Sequence, residues 1–227
     1  MSLKAIVFDF DGVIANSEPL HLRAFQDVLA EEGLTLSKED YYERYLGYDD
    51  AGVFRMIGAA RGAPWTDRQL ADLIARKATR IDILERDESI LFPGAADALR
   101  RAAAAVPIAI ASGALGHEIR RVLDREGLTA LFTTIVAAED TPASKPAPDP
   151  YLRAVARLAS ALHAPVTAGE CVAVEDSVWG LESAREAGLR TVAVAQTYSR
   201  ETLTAADVVI DRIAELSVKT AEALCST

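Results

Sequence analysis

The chain has 227 residues, half of them hydrophobic, and a formal net charge of −10 at pH 7. This length predicts one large or two modest domains with a substantial core, and the negative charge argues against nucleic acid or an anionic membrane as a partner. The longest stretch of small apolar residues, Ala102–Ala111, contains Pro107 and is too short to cross a bilayer. Asp9 and Asp11 interrupt the first apolar run, so no secretory signal is visible and a cytoplasmic protein is expected.

Six short apolar runs alternate with helical patterns along the chain. The runs are Leu3–Phe8, Ile108–Ala111, Thr134–Ala137, Val172–Val174, Thr191–Ala195 and Val208–Ile210. The first is hydrophobic at nearly every position, which is typical of a parallel strand covered on both faces. The alternation predicts the α/β class with a doubly wound parallel sheet.

Two helices have clear end signals. Asp149 followed by Pro150 predicts an N-cap and a proline in the first turn of a helix that runs to Leu162. Ser177 is predicted to cap another helix, and Gly188 ends it in the left-handed conformation that helices often use there.

One connection is far longer than the others. Residues 13–106 separate the first strand from the second, whereas a strand-to-helix loop usually has about 2–6 residues. Most of this span has helical patterns, at Pro19–Glu32, Ser37–Leu46, Asp49–Arg61 and Thr66–Arg86. We therefore predict a core of residues 1–14 and 91–227 and an inserted helical cap domain of residues 15–90. The insertion is expected to act as a lid that selects substrate, with a purely structural insertion as the alternative.

Two carboxylates two residues apart close the first strand, in the motif Asp9-Phe10-Asp11-Gly12-Val13. Ligand-binding residues of α/β sheets lie at the carboxyl ends of strands. Two unit charges about 4 Å apart repel by roughly 4 kcal/mol at an effective dielectric constant near 20, so the pair requires a cation or a proton. The motif suits a nucleophile, an acid/base and a metal ligand, although Asp and Gly are also common turn formers.

Polar residues also follow the second and third predicted strands. Ser112 and Gly113 offer a hydroxyl and exposed amides that suit an anion, with a serine that caps a helix as the alternative. Lys145 lies in the segment 144–150, whose prolines restrict the backbone and hold the lysine in one direction. A solvated surface lysine is the alternative there.

The fourth predicted strand ends in two acids. Glu175 and Asp176 could complete an oxygen-only site with Asp9, which suits Mg²⁺ rather than zinc. Acids that stabilise the start of the next helix are the alternative. Because these polar groups arrive at four strand ends of one parallel sheet, we expect them to converge.

Together these motifs resemble those of the haloacid dehalogenase superfamily. The resemblance covers nearly the whole chain and is strongest to β-phosphoglucomutase and the sugar-phosphate phosphatases that carry a helical cap. It rests on the paired aspartates with Gly12 and Val13, on Ser112-Gly113, on Lys145, and on Glu175-Asp176-Ser177 followed by Gly180. The resemblance implies a Rossmann-like catalytic core and a Mg²⁺-dependent phosphatase that acts on small phosphomonoesters, sugar phosphates above all.

The resemblance also implies a role for each acid. Asp9 would attack phosphorus and form an aspartyl-phosphate, and Asp11 would protonate the leaving oxygen and later activate water. The metal ligands would be the Asp9 carboxylate, the Asp11 backbone carbonyl and Asp176, with Glu175 assisting.

The phosphoryl oxygens would be held by Ser112, by nearby amides such as that of Gly113, and by Lys145. The expected partner is a small phosphorylated metabolite, without nucleic acid or membrane. The oligomeric state stays open, and a monomer is compatible with the sequence.

Three polar residues of the insertion resemble positions that β-phosphoglucomutase uses at its hinge and for substrate handling. They are Ser17, His21 and Lys77. A partly buried surface histidine is the alternative for His21, and a solvated charge is the alternative for Lys77.

A mutase is therefore the alternative to a phosphatase. Where the mutase has an arginine for a second phosphate, this chain has Tyr48, Asp49 and Asp50, and acids there would repel a bisphosphate unless Arg44 or Arg55 substitutes. This difference favours the phosphatase, in which water is the final acceptor.

A non-turnover signalling switch that is phosphorylated on aspartate, as in receiver domains, is a more remote alternative. The insertion and the placement of Asp11 for acid/base chemistry argue against it.

Overall fold

The computed structural model describes residues 2–45, 48, 50–87 and 89–226. It divides into two compact units, Met1–Asn16 with Ile90–Thr227 and Ser17–Ser89. The boundaries predicted from the sequence lie within two residues of this division, and the roles assigned to the two parts stay predictions.

The larger unit is built on a parallel sheet that has six strands within the described part of the chain. The strands are β1 (Ala5–Phe8), β2 (Ile108–Ala111), β3 (Phe132–Val136), β4 (Cys171–Glu175), β5 (Arg190–Val194) and β6 (Val208–Ile210). Their order is β3-β2-β1-β4-β5-β6, with every neighbouring pair parallel. Strands β1, β2 and β4 are buried at every position, as expected for strands covered on both faces. The predicted α/β class with a doubly wound sheet is confirmed.

The helices alternate with these strands or form the smaller unit. In chain order they are α1 (Glu18–Glu31), α2 (Lys38–Asp40), α3 (Asp50–Ala60), α4 (Asp67–Asp87), α5 (Ala95–Ala105), α6 (Gly116–Arg125), α7 (Asp149–Leu162), α8 (Val178–Glu186) and α9 (Val218–Cys225). Among the described residues, none of these helices has the length and apolar character required to span a membrane.

The predicted helix ends are mostly correct. Ser177 caps α8 by accepting a hydrogen bond from the Gly180 amide at 3.1 Å, and Gly188 follows that helix with a φ of 86°. Asp149 is the first residue of α7 and not its N-cap, which is Pro148.

The smaller unit has its own apolar core, in which α1 and α4 pack together. Phe25 and Phe54 lie in it with ring centroids 5.1 Å apart in an edge-to-face arrangement. The single helix predicted over Ser37–Leu46 is wrong in detail, because α2 ends after three residues and a π-helical turn, Tyr41–Tyr45, follows it. That turn buries Tyr41 and Tyr45 in the same core.

Candidate active site

Three buried carboxylates meet at the carboxyl ends of β1 and β4. These strands pair with Phe8 opposite Val174, so the residues that follow them are neighbours. One carboxylate oxygen each from Asp9, Glu175 and Asp176 lies within 4.8 Å of the others. The convergence that the sequence predicted for these acids is present in the structure.

Lys145 lies against two of these acids. Its Nζ is 2.9 Å from Asp9 Oδ1 and 2.6 Å from Glu175 Oε1, and its side chain is 12% exposed. A solvated surface lysine is therefore the wrong interpretation. Burial by itself lowers the pKa of Lys145, but the adjacent carboxylates of Asp9 and Glu175 outweigh that effect and place its pKa above the ordinary value. The ammonium group stays charged at neutral pH.

The cluster has three carboxyl groups and one ammonium group. Burial raises the pKa of Asp9 well above its ordinary value, and Lys145 offsets this only in part. Burial and the neighbouring Glu175 raise the pKa of Asp176 to about 7. Three carboxylates facing one ammonium group form an oxygen-only donor set, and a hard divalent cation such as Mg²⁺ fits its chemistry.

Glu175 is held on both of its oxygens. Oε1 accepts from Lys145 Nζ at 2.6 Å and from the Tyr151 hydroxyl at 2.7 Å, while Oε2 accepts from the Asp176 amide at 3.2 Å. The Ser177 hydroxyl lies 3.3 Å from the same Oε2. Because its lone pairs are engaged in this way, Glu175 is better placed to orient Lys145 than to contact a metal directly.

Of the two carboxylate oxygens of Asp9, one is held by a hydrogen bond and an ion pair and the other takes part in neither. Asp9 Oδ1 accepts from the Phe10 amide at 2.7 Å and is the oxygen that contacts Lys145, whereas Oδ2 takes part in neither contact. Asp11 is exposed. Gly12 has a φ of 74°, and a Cβ there would lie 1.9 Å from Asp176 Oδ2. The close approach of the turn to Asp176 therefore requires glycine.

Ser112 and Gly113 follow β2, the other neighbour of β1. Ser112 is 2% exposed, and its Oγ accepts from the Ala114 amide at 3.1 Å. The helix that follows is capped at Leu115, so the interpretation of Ser112 as a helix cap is wrong. Gly113 is exposed, with no heavy atom within 4 Å of the position of a Cβ. An open backbone of this kind is accessible to an anion.

The sequence analysis missed three residues of this site. Tyr151 is completely buried and donates to Glu175. Gln196 donates from Nε2 to the Gly12 carbonyl at 3.1 Å, and the Thr197 hydroxyl lies beside the Asp176 carboxylate. Gln196 and Thr197 follow the fifth apolar run, so polar residues after a strand were a usable signal, whereas no comparable signal marks Tyr151.

The predicted cap residues form a cluster within the smaller unit. Lys77 is 1% exposed, and its Nζ lies 2.6 Å from Asp50 Oδ1, 2.7 Å from His21 Nδ1 and 4.7 Å from the ring centroid of Phe25. The interpretation of Lys77 as a solvated charge is therefore wrong. Burial, and then the Lys77 charge, lower the pKa of His21 to about 4. A neutral imidazole can accept a hydrogen bond from Lys77 at pH 7.

Among the residues that follow position 47, Asp50 has a positively charged partner. The Asp50 carboxylate is paired with Lys77, which weakens the predicted repulsion of a bisphosphate at residue 50; the repulsion itself stays a prediction. Asp49 lies outside the described residues. Tyr48 is 57% exposed, and Ser17 is the residue before α1.

Comparison with known proteins agrees with this geometry. The haloacid dehalogenase-like hydrolase family matches residues 3–188. The chain is 36% identical to protein CbbY of Rhodobacter capsulatus, over 99% of this chain and 98% of that protein, and 32% identical to hexitol phosphatase B of Escherichia coli strain K12, over 95% of each. A crystal structure of a CbbY mutant from Rhodobacter sphaeroides in complex with xylulose-(1,5)bisphosphate superposes with a TM-score of 0.76 at 28% identity, covering 97% of this chain and 99% of that one. The chain therefore belongs to the haloacid dehalogenase-like hydrolases.

Proposed function

We propose that this protein is a Mg²⁺-dependent phosphatase that releases inorganic phosphate from small phosphate esters of sugars or sugar alcohols. The observation that carries the proposal is the buried carboxylate cluster with Lys145 Nζ 2.9 Å from Asp9 and 2.6 Å from Glu175. Two relatives support the substrate class, because one is named a hexitol phosphatase and another is bound to xylulose-(1,5)bisphosphate. Both names describe polyhydroxylated carbon chains.

The residues present fit a magnesium ion. The Asp9 carboxylate, the Asp11 backbone carbonyl and the Asp176 carboxylate would hold it, and Glu175 would assist by holding Lys145 in place. When bound, Mg²⁺ neutralises charge on the phosphoryl oxygens. The raised pKa of Asp9 and that of Asp176, about 7, support this assignment, because a buried carboxylate without a cation favours its proton.

Asp9 is the nucleophile of the proposed reaction. A carboxylate oxygen of Asp9 forms a bond to phosphorus while the bond from phosphorus to the sugar oxygen breaks, which gives an aspartyl-phosphate. The Asp11 carboxyl group donates its proton to the departing sugar oxygen. Asp11 then takes a proton from water, whose oxygen attacks phosphorus, and this step releases phosphate and restores Asp9.

The proposed phosphate-binding groups are Lys145 and the two residues that follow β2. The Lys145 ammonium group, the Ser112 hydroxyl and the Gly113 amide would contact the transferring phosphoryl oxygens. Lys145 is fixed by Glu175 before substrate arrives, so its charge is preorganised for the transition state. The smaller unit, with its His21–Asp50–Lys77 cluster, is proposed to select the substrate.

Measurement of phosphate release from a panel of hexitol, hexose and pentulose phosphates tests this function. Multiple turnovers per chain with Mg²⁺, lost in excess chelator and regained when Mg²⁺ is added back, are expected. Isomerisation of glucose 1-phosphate, assayed in parallel, distinguishes a mutase. Isomerisation faster than hydrolysis would replace the proposal with a mutase, and labelling of the chain without turnover would replace it with a signalling switch.

A further inference from the structure

The connection after β5 reaches back to the aspartate turn. Strand β5 pairs with β4, with Ala193 opposite Glu175. The residues that follow these strands therefore emerge side by side, and this places Gln196 and Thr197 near Asp176. Neither residue is charged, and neither has a role in the chemistry proposed above.

Gln196 joins the aspartate turn to the chain after β6. Its Nε2 donates to the Gly12 carbonyl at 3.1 Å and to the Val13 carbonyl at 3.3 Å, while its Oε1 accepts from the Ile213 amide at 2.8 Å. The reverse orientation of the side-chain amide would set an oxygen against two carbonyl oxygens, so these partners specify which way it points. The backbone directly after Asp11 is held by this side chain.

Thr197 contacts the other half of the cluster. Its hydroxyl lies beside the Asp176 carboxylate, where it favours the charged form of that group. A Cβ on Gly12 would lie 1.9 Å from Asp176 Oδ2 and 2.9 Å from Thr197 Oγ1. The aspartate turn, the Asp176 carboxylate and the Thr197 hydroxyl are therefore close neighbours. When Asp176 is ionised beside a bound cation, it accepts but does not donate, so the Thr197 hydroxyl would direct its proton at Asp176 and restrict its orientation.

We infer that Gln196 and Thr197 are positioning residues for the cation-binding carboxylates. Gln196 fixes the turn that carries Asp11, and Thr197 fixes the plane of Asp176. The inference rests on the proposed function in its choice of Mg²⁺ as the ligand. Groups that hydrogen-bond to metal-ligating carboxylates typically change metal affinity or activity by about 10–100-fold when they are removed.

The test for Thr197 is calorimetric titration of the metal-free protein with Mg²⁺. Thr197→Val keeps the shape of the side chain and removes the donor, and the Kd for Mg²⁺ should rise about tenfold. Thr197→Ser restores the hydroxyl and should recover the wild-type Kd. Thr202→Val is the matched control, because Thr202 lies in the same connection and pairs with Ser199. A Kd for Thr197→Val equal to that of the control would overturn the role of Thr197.

The test for Gln196 separates positioning from support of the fold. In Gln196→Met, the Ile213 amide should exchange faster with deuterium, the Kd for Mg²⁺ should rise, and kcat should fall at an unchanged KM for the sugar phosphate. The melting temperature of the metal-free variant checks its folding. A folded variant with wild-type Mg²⁺ affinity and kcat would overturn the role of Gln196.

The Mg²⁺ titrations also distinguish failure of the proposed phosphatase function from failure of the proposed positioning role. A wild-type protein that binds Mg²⁺ but releases no phosphate would remove the proposed function, while the comparison of Thr197→Val with Thr202→Val would still decide the positioning role. A wild-type protein that does not bind Mg²⁺ would overturn both.

Discussion

Asp9, Lys145 and Glu175 hold one another in place through hydrogen bonds and ion pairs. Asp9 is hydrogen-bonded to its neighbour's amide and paired with Lys145, and Lys145 is in turn paired with Glu175. Glu175 has no exposed surface. The proposed nucleophile, Asp9, and the Lys145 ammonium group beside it are therefore fixed before any ligand binds, which is what electrostatic preorganisation requires.

Replacement of Asp9, the proposed nucleophile, should separate activity from folding. Asp9→Asn should reduce turnover by a factor on the order of 10⁴–10⁶, because loss of a nucleophile removes the covalent route. The metal-free melting temperature at pH 7 should not fall, since burial disfavours the Asp9 charge. Phosphate release and thermal unfolding measure the two effects. Asp97→Asn, at an exposed acid on α5, is the control, and turnover retained by Asp9→Asn would exclude Asp9 as the nucleophile.

The motif residues could be predicted from the sequence because charged residues at strand ends are rare and conspicuous. The burial of Lys77 could not be predicted, since its neighbours His21 and Asp50 are far away in sequence. Tyr151 was missed for a related reason. Its hydroxyl reaches Glu175 only because α7 packs against α8 and against β1, the strand paired with β4, and a tyrosine early in a helix looks like ordinary core.

Among the secondary-structure elements, the first turn of α8 restricts the position of the Glu175 side chain. The third residue of that helix is Gly180, where a Cβ would lie 2.0 Å from the Glu175 carboxylate carbon. The helix can therefore begin directly above a fully buried acid only if this residue is glycine. A sequence pattern alone indicates that the helix begins here, but not what lies beneath its first turn.

Gly180→Ala tests this contact. The added methyl group should displace Glu175 and with it Lys145, so kcat should fall and the free energy of unfolding should drop by about 1–3 kcal/mol, the usual cost of overpacking. Urea unfolding and phosphate release provide the measurements. Glu182→Ala, at an exposed position of the same helix, should leave both unchanged. If Gly180→Ala matches that control, α8 does not constrain Glu175.

The stability that the His21–Asp50–Lys77 cluster gives to the fold should decrease in acid. His21 has a pKa of about 4 in the folded chain and an ordinary value near 6.5 when unfolded. The unfolded chain therefore binds a proton in this window and the folded chain does not, so the stability that His21 contributes is lost as pH falls from about 6.5 to 4, by up to about 3 kcal/mol.

The check for His21 is the free energy of unfolding in urea at several pH values, compared with His21→Asn, which keeps an acceptor for Lys77. The difference between the two proteins should change across this window and stay constant above pH 7. If the free energies of unfolding of the wild type and His21→Asn changed in parallel with pH, His21 would not be held neutral in the folded chain.

At the scale of the whole molecule, the sheet gathers residues that are far apart in sequence. The order β3-β2-β1-β4-β5-β6 places the ends of β2, β1, β4 and β5 side by side. Runs of apolar residues predicted these strands and thereby the convergence of the acids. They did not reveal that the residues after β5 contribute as well, because Gln196 and Thr197 are uncharged and give a weaker signal than the acids after β1 and β4.

A cation that joins β1 to β4 should stabilise the entire larger unit. At pH 8, Mg²⁺ at about 100 times its Kd should increase the free energy of unfolding by about 2.7 kcal/mol. Thermal melts with and without Mg²⁺ measure this gain. Asp176→Asn should lose most of it, while Asp97→Asn should keep it. An equal gain in both variants would place the ion elsewhere.

In the proposed reaction, Asp9 carries the phosphoryl group between substrate and water. Acid quenching during steady turnover of a sugar phosphate, followed by peptide mass spectrometry, tests it most directly. The account predicts a phosphorylated peptide whose modified residue is Asp9 and which is absent from Asp9→Asn. Rapid phosphate release with the label on another residue, or with no label on the chain, would contradict the claim.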